Sequence, residues 1–246
     1  MNFIFIILIF LISAVIARIL IPRILLISLR KKLFDIPDDR KVHKRAIPRL
    51  GGVSFFPTTL FAFCLVYTFR LLGGDSVSTL YASYLLPELL LFACGMTLLY
   101  LTGIADDLVG VRYRQKFVIQ IFCACLFPLS GLWINDLYGL FGIHELSVYV
   151  GIPFTILTVV FITNAINLID GIDGLASGLS SVALLIFTFL FIEKGLWSYA
   201  MLAAGTFGVL VPFFYYNVFG SVERARKIFM GDTGSLTLGY TLASLP

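Results

Sequence analysis

Long apolar runs recur along the whole sequence and constrain its fold more than any other feature. They cover roughly Phe3–Ile21, Val53–Phe69, Leu85–Ala105, Phe117–Trp133, Val148–Ile166, Leu175–Ile192 and Trp197–Val218, and an eighth begins near Ser235. A helix needs about 20 such residues to cross a bilayer, and only helices and closed barrels can do so. The sequence therefore predicts an all-α, polytopic transmembrane helix bundle with about eight spans.

Composition supports a membrane protein made of one folding unit. The chain is 59% hydrophobic and 13% charged, whereas soluble domains are about 45–50% apolar and about 25% charged. Because the bundle itself buries the apolar surface, we predict a single transmembrane domain over residues 1–246. Only 12 residues run from Ser235 to Pro246, so we expect the last span to be truncated and further C-terminal helices to be missing.

Basic residues are concentrated on alternate loops. Fifteen of the 18 Lys and Arg residues lie in Pro22–Gly52, Asp106–Lys116 and Asn217–Gly231. The positive-inside rule places these loops in the cytoplasm and the amino terminus outside. The stretch Asn164–Gly178, between the fifth and sixth spans, then falls on the cytoplasmic side too.

That stretch, NAINLIDGIDGLASG, places polar groups at the end of a membrane helix, where they are costly unless they bind something. Its amides and carboxylates recur every three residues, at Asn164, Asn167, Asp170 and Asp173. A continuous helix would put them on one face, but the neighbouring glycines favour a break after Asp170. Oxygen ligands without His or Cys suit a hard cation such as Mg²⁺. A polar helix cap with a glycine turn is the alternative.

An acidic pair, Asp106-Asp107, follows the third span and precedes a basic loop that includes Lys116. Adjacent carboxylates repel each other, so we expect one of them to have a raised pKa or a cation beside it. The alternative is an acidic helix end that marks the water boundary.

The segment Phe229–Ser235, FMGDTGS, opens the last helix with a glycine-rich turn. Such a turn offers free backbone N–H groups and a positive dipole end to a phosphate. Asp232 would repel that phosphate unless a metal bridged the two, which predicts a diphosphate-bound Mg²⁺. An ordinary N-cap is the alternative.

The first basic loop contains His43 among several Lys and Arg residues. Most of these residues suit a topology determinant that attracts anionic lipid, and His43 is a candidate for contacting a substrate phosphate. Acids, a hard cation and basic residues together indicate phosphoryl transfer at the membrane surface. A membrane enzyme of this kind suits a lipid acceptor.

Three motifs together resemble a known family: Asp106-Asp107 with Lys116 ten residues later, NAINLIDGIDGLASG, and FMGDTGSL. The family is that of the polyprenyl-phosphate N-acetylhexosamine-1-phosphate transferases, within the glycosyltransferase 4 family. The loop FDIPDDRKVHKRAIPRLGGV resembles its undecaprenyl-phosphate GlcNAc-1-phosphate branch. The resemblance runs from about Asp35 to the end of the chain.

The resemblance implies transfer of GlcNAc-1-phosphate from UDP-GlcNAc to undecaprenyl phosphate, with release of UMP and with Mg²⁺, or Mn²⁺, as cofactor. This is a first membrane step of cell-surface polysaccharide synthesis. It implies a multi-pass protein of the bacterial inner membrane with a cytoplasmic active site. We expect membrane lipids, and no nucleic acid, as partners. Whether the protein forms a homodimer is left open. Phospho-MurNAc-pentapeptide, or another UDP-HexNAc donor, is the alternative within the family.

The resemblance also implies a role for each matching residue. Asp106 matches the acid proposed to deprotonate the lipid phosphate, and Asp107 supports it. The remaining matches are Asn167 and Asp232 for the metal, Lys116 for phosphate, Asp170 and Asp173 near the nucleotide, and Phe229 for stacking on uracil. Family members continue to a histidine-rich loop that helps bind substrate, so we expect this chain to be a fragment or a truncated product.

Two other classes of function stay open at this stage. A cation-coupled transporter would use the same acids as ion sites, but it predicts them near the bilayer midplane on broken helices. A binding or assembly protein without catalysis is the other alternative. A one-step displacement and a covalent aspartyl intermediate are both compatible with the residues.

Overall fold

Eight α-helices make up most of the computed structural model, which describes residues 2–35, 47–73 and 76–245. They are α1 (Asn2–Lys31), α2 (Phe55–Leu72), α3 (Ser76–Val109), α4 (Tyr113–Leu129), α5 (Val148–Ile169), α6 (Leu175–Glu193), α7 (Trp197–Val218) and α8 (Gly231–Ser244). Two short strands, β1 (Phe34–Asp35) and β2 (Ile47–Pro48), pair antiparallel, and a 3₁₀ turn at Gly51–Ser54 leads into α2. The predicted all-α bundle is confirmed.

Six segments of the described chain are long and apolar enough to cross a membrane. They are α1, residues 51–72, residues 85–109, α5, α6 and α7. The 17-residue α4 and the 14-residue α8 are shorter than the roughly 20 residues of a full crossing. The chain is therefore a multi-pass membrane protein.

Helix α1 shows how an almost wholly apolar sequence acquires an inside and an outside. Its buried residues recur at every third or fourth position, at Ile6, Ile9, Ser13, Ala17, Ile21, Leu25 and Ser28. That spacing places one stripe against the bundle, while Ile4, Ile7 and Leu11 stay exposed on the remaining surface. The helix packs mainly against α7.

Helix α8 is the element around which the site is built, and it is buried on nearly every side. Residues 233–241 are all buried, and the helix packs chiefly against α3 and α5. Glycines make the close approach feasible: a Cβ on Gly103 of α3 would lie 2.4 Å from the Thr233 Cα. A Cβ on Gly239 of α8 would lie 2.7 Å from the Thr163 Cα of α5. Small residues at helix contacts are typical of membrane bundles.

The segment before α8 is fixed by backbone hydrogen bonds to the turn that precedes α2. The Phe229 N–H donates to the Pro48 carbonyl at 2.7 Å, and the Gly51 N–H donates to the Phe229 carbonyl at 2.9 Å. The Gly52 N–H donates to the Met230 carbonyl at 2.8 Å. The start of α8 is therefore held from two directions, by α3 and by residues 48–52.

Candidate active site

A lysine joins two carboxylates that lie far apart in the sequence. The Lys116 Nζ lies 2.8 Å from Asp106 Oδ2 and 2.8 Å from Asp232 Oδ1. Asp106 comes from the last turns of α3, Lys116 from the first turn of α4 and Asp232 from the first turn of α8. The structure therefore brings these three predicted residues together at one end of the bundle.

Asn167, near the end of α5, completes this cluster. Its Nδ2 donates to Asp232 Oδ1 at 2.6 Å and to the Ser235 hydroxyl at 2.7 Å. An amide side chain can turn its oxygen to the same place, so Asn167 and Asp232 can present two oxygens to one point. We call Asp106, Lys116, Asn167 and Asp232 the acid–lysine cluster.

Asp107 has a different environment from its neighbour. Its carboxylate is wholly buried. Oδ1 accepts the Asp232 N–H at 2.9 Å, and Oδ2 accepts the Thr233 N–H at 3.0 Å and the Thr233 hydroxyl at 2.6 Å. Arg49 donates to the backbone carbonyl of Asp107 through Nε at 3.0 Å and Nη2 at 2.5 Å. Asp107 thus caps α8, while Asp106 faces Lys116.

These bonds correct one prediction about the start of α8. The backbone N–H groups of Asp232 and Thr233 donate to Asp107. A carboxylate of the protein itself therefore uses two of the amides that were expected to cradle a phosphate, and for these two amides the expectation is wrong. The predicted cation beside the acidic pair is Lys116, which lies at Asp106.

Asp170 directly follows the last residue of α5, and the predicted helix break lies there. Burial raises the pKa of Asp170 well above its ordinary value, and the negative charges of Asp232 and Asp107 raise it further. Asp170 is therefore a carboxyl group that holds its proton more strongly than an exposed aspartate does.

Asp173 lies beyond that break, in the turn that precedes α6. It forms an ion pair with Lys227, and its side chain is 43% exposed. Gly174, next in the chain, has φ +74, a conformation that favours glycine. Asp173 is therefore separated from the acid–lysine cluster and lies at the rim formed by the loop before α8.

Asn217, in the last turn of α7, was missed by the sequence reasoning. Its Oδ1 accepts the Gly174 N–H at 2.7 Å, and its Nδ2 donates to the Ile228 carbonyl at 3.0 Å. It thus fixes the turn after α5 to the segment before α8. The only signal in the sequence was a single amide side chain near the end of an apolar run. In the structure, Asn217 is 5% exposed.

Two sequence candidates remain, Phe229 and His43. Phe229 is fixed through its backbone beside residues 48–51, and its side chain is half-buried. His43 lies outside the described residues. Arg49 and Ser235, which contact the acidic pair and Asn167, were not among the candidates, because neither stands out from the sequence around it.

The acid–lysine cluster contains few of the side chains that usually hold a metal ion. Across residues 2–35, 47–73 and 76–245, no group of three or more His, Cys, Asp or Glu side chains could hold an ion. Mg²⁺ commonly takes only one or two protein carboxylates and completes its shell with water and substrate phosphate. One carboxylate from Asp232 and one amide from Asn167 fit that limited donor set.

Comparison with known proteins gives one family and a set of relatives. The sequence model of the family described as glycosyl transferase family 4 matches residues 89–246. The chain is 31% identical over 237 residues to a probable undecaprenyl-phosphate N-acetylglucosaminyl 1-phosphate transferase of Bacillus subtilis, covering 96% of this chain and 61% of the relative. It is 30% identical over 222 residues to an undecaprenyl-phosphate alpha-N-acetylglucosaminyl 1-phosphate transferase of Yersinia pestis, covering 87% and 55%.

A third relative matches the whole chain. It is a phospho-N-acetylmuramoyl-pentapeptide-transferase of Staphylococcus carnosus, 30% identical over 265 residues, covering 100% of this chain and 75% of the relative. The chain thus spans little more than half the length of the first two relatives.

Proposed function

Because the chain belongs to glycosyl transferase family 4, we propose that it transfers GlcNAc-1-phosphate from UDP-GlcNAc to undecaprenyl phosphate. In this reaction an oxygen of the lipid phosphate attacks the sugar-bearing phosphorus. The bond between the two phosphates of the donor breaks and UMP leaves. Residues 1–246 then belong to one transmembrane phosphoglycosyltransferase domain. The acid–lysine cluster is the observation that carries the proposal.

Asp106 and Lys116 act on the acceptor side in this proposal. Asp106 takes the proton of the lipid phosphate. Lys116, which already lies between two carboxylates at 2.8 Å, can turn towards a phosphate and offset its charge. Asp107 supports them indirectly, because its carboxylate fixes the N-terminus of α8 and therefore the position of Asp232.

Asn167 and Asp232 are the proposed ligands of Mg²⁺, or of Mn²⁺. Bound there, the ion would neutralise the diphosphate oxygens during in-line transfer. Asp232 Oδ1 accepts from both Lys116 and Asn167, so a divalent cation bound there would compete with the Lys116 ammonium for this oxygen.

The donor side is assigned to the residues around the turn after α5. We propose Asp170 and Asp173 near the nucleotide, Phe229 stacked on uracil, and His43 at a phosphate. Asp170 lies close enough to Asp107 and Asp232 for their charges to raise its pKa, and Phe229 lies two residues before α8. Both observations support this assignment.

The position of the cluster also supports an enzyme over a transporter. Asp106 lies near the end of α3, Lys116 near the start of α4, Asn167 near the end of α5 and Asp232 near the start of α8. All four lie at one end of the bundle, whereas a transporter predicts acids near the midplane. With the basic loops at the same end, we propose that the site faces the cytoplasm at the bacterial inner membrane.

A second donor deserves a direct test, because the Staphylococcus carnosus relative matches the whole chain. UDP-MurNAc-pentapeptide would take part in the same reaction and would also release UMP. Membranes containing the protein are therefore given undecaprenyl phosphate, Mg²⁺ and either donor, and the UMP released is measured.

The assay compares residues 1–246 with a version extended by the remaining segment of the Bacillus subtilis relative. UMP release with UDP-GlcNAc is expected, with at least a hundredfold loss in Asp232→Ala. Asp136→Asn, which alters an aspartate far from the cluster, should keep full activity. Absence of UMP with either donor from both versions, or full activity in Asp232→Ala, would rule out the proposal and leave a binding or assembly role.

A further inference from the structure

Arg18 is a charged residue inside the long apolar helix α1, where a charge is costly and commonly functional. Its Nη1 donates to the Tyr216 hydroxyl at 2.7 Å. Its Cζ lies 5.5 Å from the ring centre of Tyr215 and 5.3 Å from that of Tyr216, which are cation–π distances. Two adjacent tyrosines therefore hold the guanidinium in place.

No carboxylate neutralises Arg18 within the part of the chain that the structure describes. The ion pairs found there join Arg49, Lys116 and Lys227 to aspartates, and none involves Arg18. A tyrosine ring and a hydroxyl orient a guanidinium but do not cancel its charge. The guanidinium is thus placed without a counter-ion of its own.

Arg18 lines a cavity of about 420 Å³ together with Arg224 and Arg226. The loop after α7 supplies these two exposed arginines, and no ion pair among the described residues involves either of them. The loop is closed by its own bonds, with the Arg226 N–H donating to the Ser221 carbonyl at 2.9 Å. Three guanidinium groups line one cavity and repel each other, and an anion between them would offset that repulsion.

The chemistry of the cavity suits a phosphate group. Guanidinium groups bind phosphate oxygens through paired N–H donors, more strongly than neutral donors do. Pro22, Leu25 and Phe219 add apolar wall to the same cavity. A ligand that carries both a phosphate and a hydrocarbon portion would therefore fit it.

The level of the cavity relative to the membrane favours a lipid as the source of that phosphate. Tyr215 and Tyr216 lie in the last turn of α7, and tyrosines at helix ends are typical of the membrane–water interface. Lipid phosphates lie at that same level. None of the residues that line the cavity belongs to the acid–lysine cluster.

We propose that this cavity binds the phosphate of an anionic ligand, with a membrane lipid headgroup as its source. The proposal does not depend on the transferase activity. It assigns a second phosphate site, on α1 and the loop after α7, at the same end of the bundle as the acid–lysine cluster.

The test compares bound lipid on purified protein by native mass spectrometry. Protein in detergent is mixed with equal amounts of phosphatidylglycerol and phosphatidylcholine, and the retained lipid is counted. We expect phosphatidylglycerol to be preferred, and the preference to fall about tenfold in the double variant Arg224→Gln, Arg226→Gln. This variant alters exposed side chains only, so it should fold, and Arg18→Gln should act in the same direction.

The matched control is the double variant Arg112→Gln, Arg114→Gln, which removes the same charge from exposed arginines at the start of α4. It should keep the full preference. A second arm titrates inorganic phosphate into the protein in phosphatidylcholine nanodiscs. If phosphate binds through these arginines but neither lipid is preferred, the cavity is still a phosphate site, and its ligand is a soluble anion and not a lipid. Equal retention of both lipids with no phosphate binding, or an equal loss in the control, would overturn the proposal.

Discussion

The carboxylate of Asp107 is predicted to stabilise the fold, and Asp107→Ala tests this directly. The substitution removes three hydrogen bonds at 2.9, 3.0 and 2.6 Å, and it leaves the buried N–H of Thr233 and the partly buried N–H of Asp232 without an acceptor. An unsatisfied buried donor costs about 1–3 kcal/mol, and loss of a helix cap costs about 1 kcal/mol. We therefore expect a loss of about 3 kcal/mol in the free energy of unfolding.

For a chain of this size, about 3 kcal/mol corresponds to a fall in apparent Tm of roughly 6–12 °C. The measurement is thermal unfolding of the purified protein in detergent, followed by size-exclusion chromatography. The bonds from Arg49 to the backbone carbonyl of Asp107 do not depend on its side chain. They should therefore survive the substitution.

The matched control is Asp106→Asn, one residue away. Asp106 accepts from Val111 and Lys116, near the open end of the site, and an amide oxygen can keep one of these bonds. We expect Asp106→Asn to lower activity with little change in Tm. An unchanged Tm in Asp107→Ala, or an equal fall in both variants, would refute the assignment of Asp107 as the cap of α8.

Four further predictions concern the site and the helix contacts around it. Lys116→Met should lower UMP release at least a hundredfold, because the ammonium shared by two carboxylates is lost; normal activity would contradict this. Asn217→Ala should raise KM for the donor about tenfold, because both loops lose an anchor; an unchanged KM would refute it. Gly103→Val should abolish recovery of folded protein on size exclusion, because a Cβ there would lie 2.4 Å from the Thr233 Cα, whereas Gly73→Ala, with its nearest contact at 3.4 Å, should be tolerated. Finally, the pKa of Asp170 is raised in the folded state. The unfolded chain therefore releases this proton first as pH rises, and the contribution of Asp170 to stability falls above about pH 4. Asp170→Asn should raise the apparent Tm more at pH 8 than at pH 5, and a difference in Tm that does not depend on pH would contradict the raised pKa.

Hydropathy predicted the helices well where a run of apolar residues ends in a clear break. The predicted span Trp197–Val218 has the same bounds as α7. The predicted span Val148–Ile166 begins where α5 begins, and α5 ends only three residues later, at Ile169. The first span was predicted to end at Ile21, but α1 continues through Pro22 to Lys31. The reason is that its buried stripe continues through Leu25 and Ser28 after the basic residues begin.

The site was predicted in outline because topology alone places the motifs on one side of the membrane. That argument brought Asp106, Lys116, Asn167 and Asp232 together. It could not separate the two acids, since the direction of neighbouring side chains depends on how α3 is rotated against α8. It also could not find Asn217, whose role depends on two loops that are distant in sequence.

Helix α8 has a consequence for how the protein is made. The chain is synthesised from its amino terminus, so α3, α4 and α5 are inserted before α8 emerges. Until then α3 and α5 lack the helix that packs against both of them, and the Asp107 carboxylate lacks the three donors that later satisfy it. Lys116 and Asp232 are separated by 116 residues, so the cluster forms only when α8 enters. Assembly of the site therefore waits for α8, and it depends on how the helices inserted earlier are arranged at that moment.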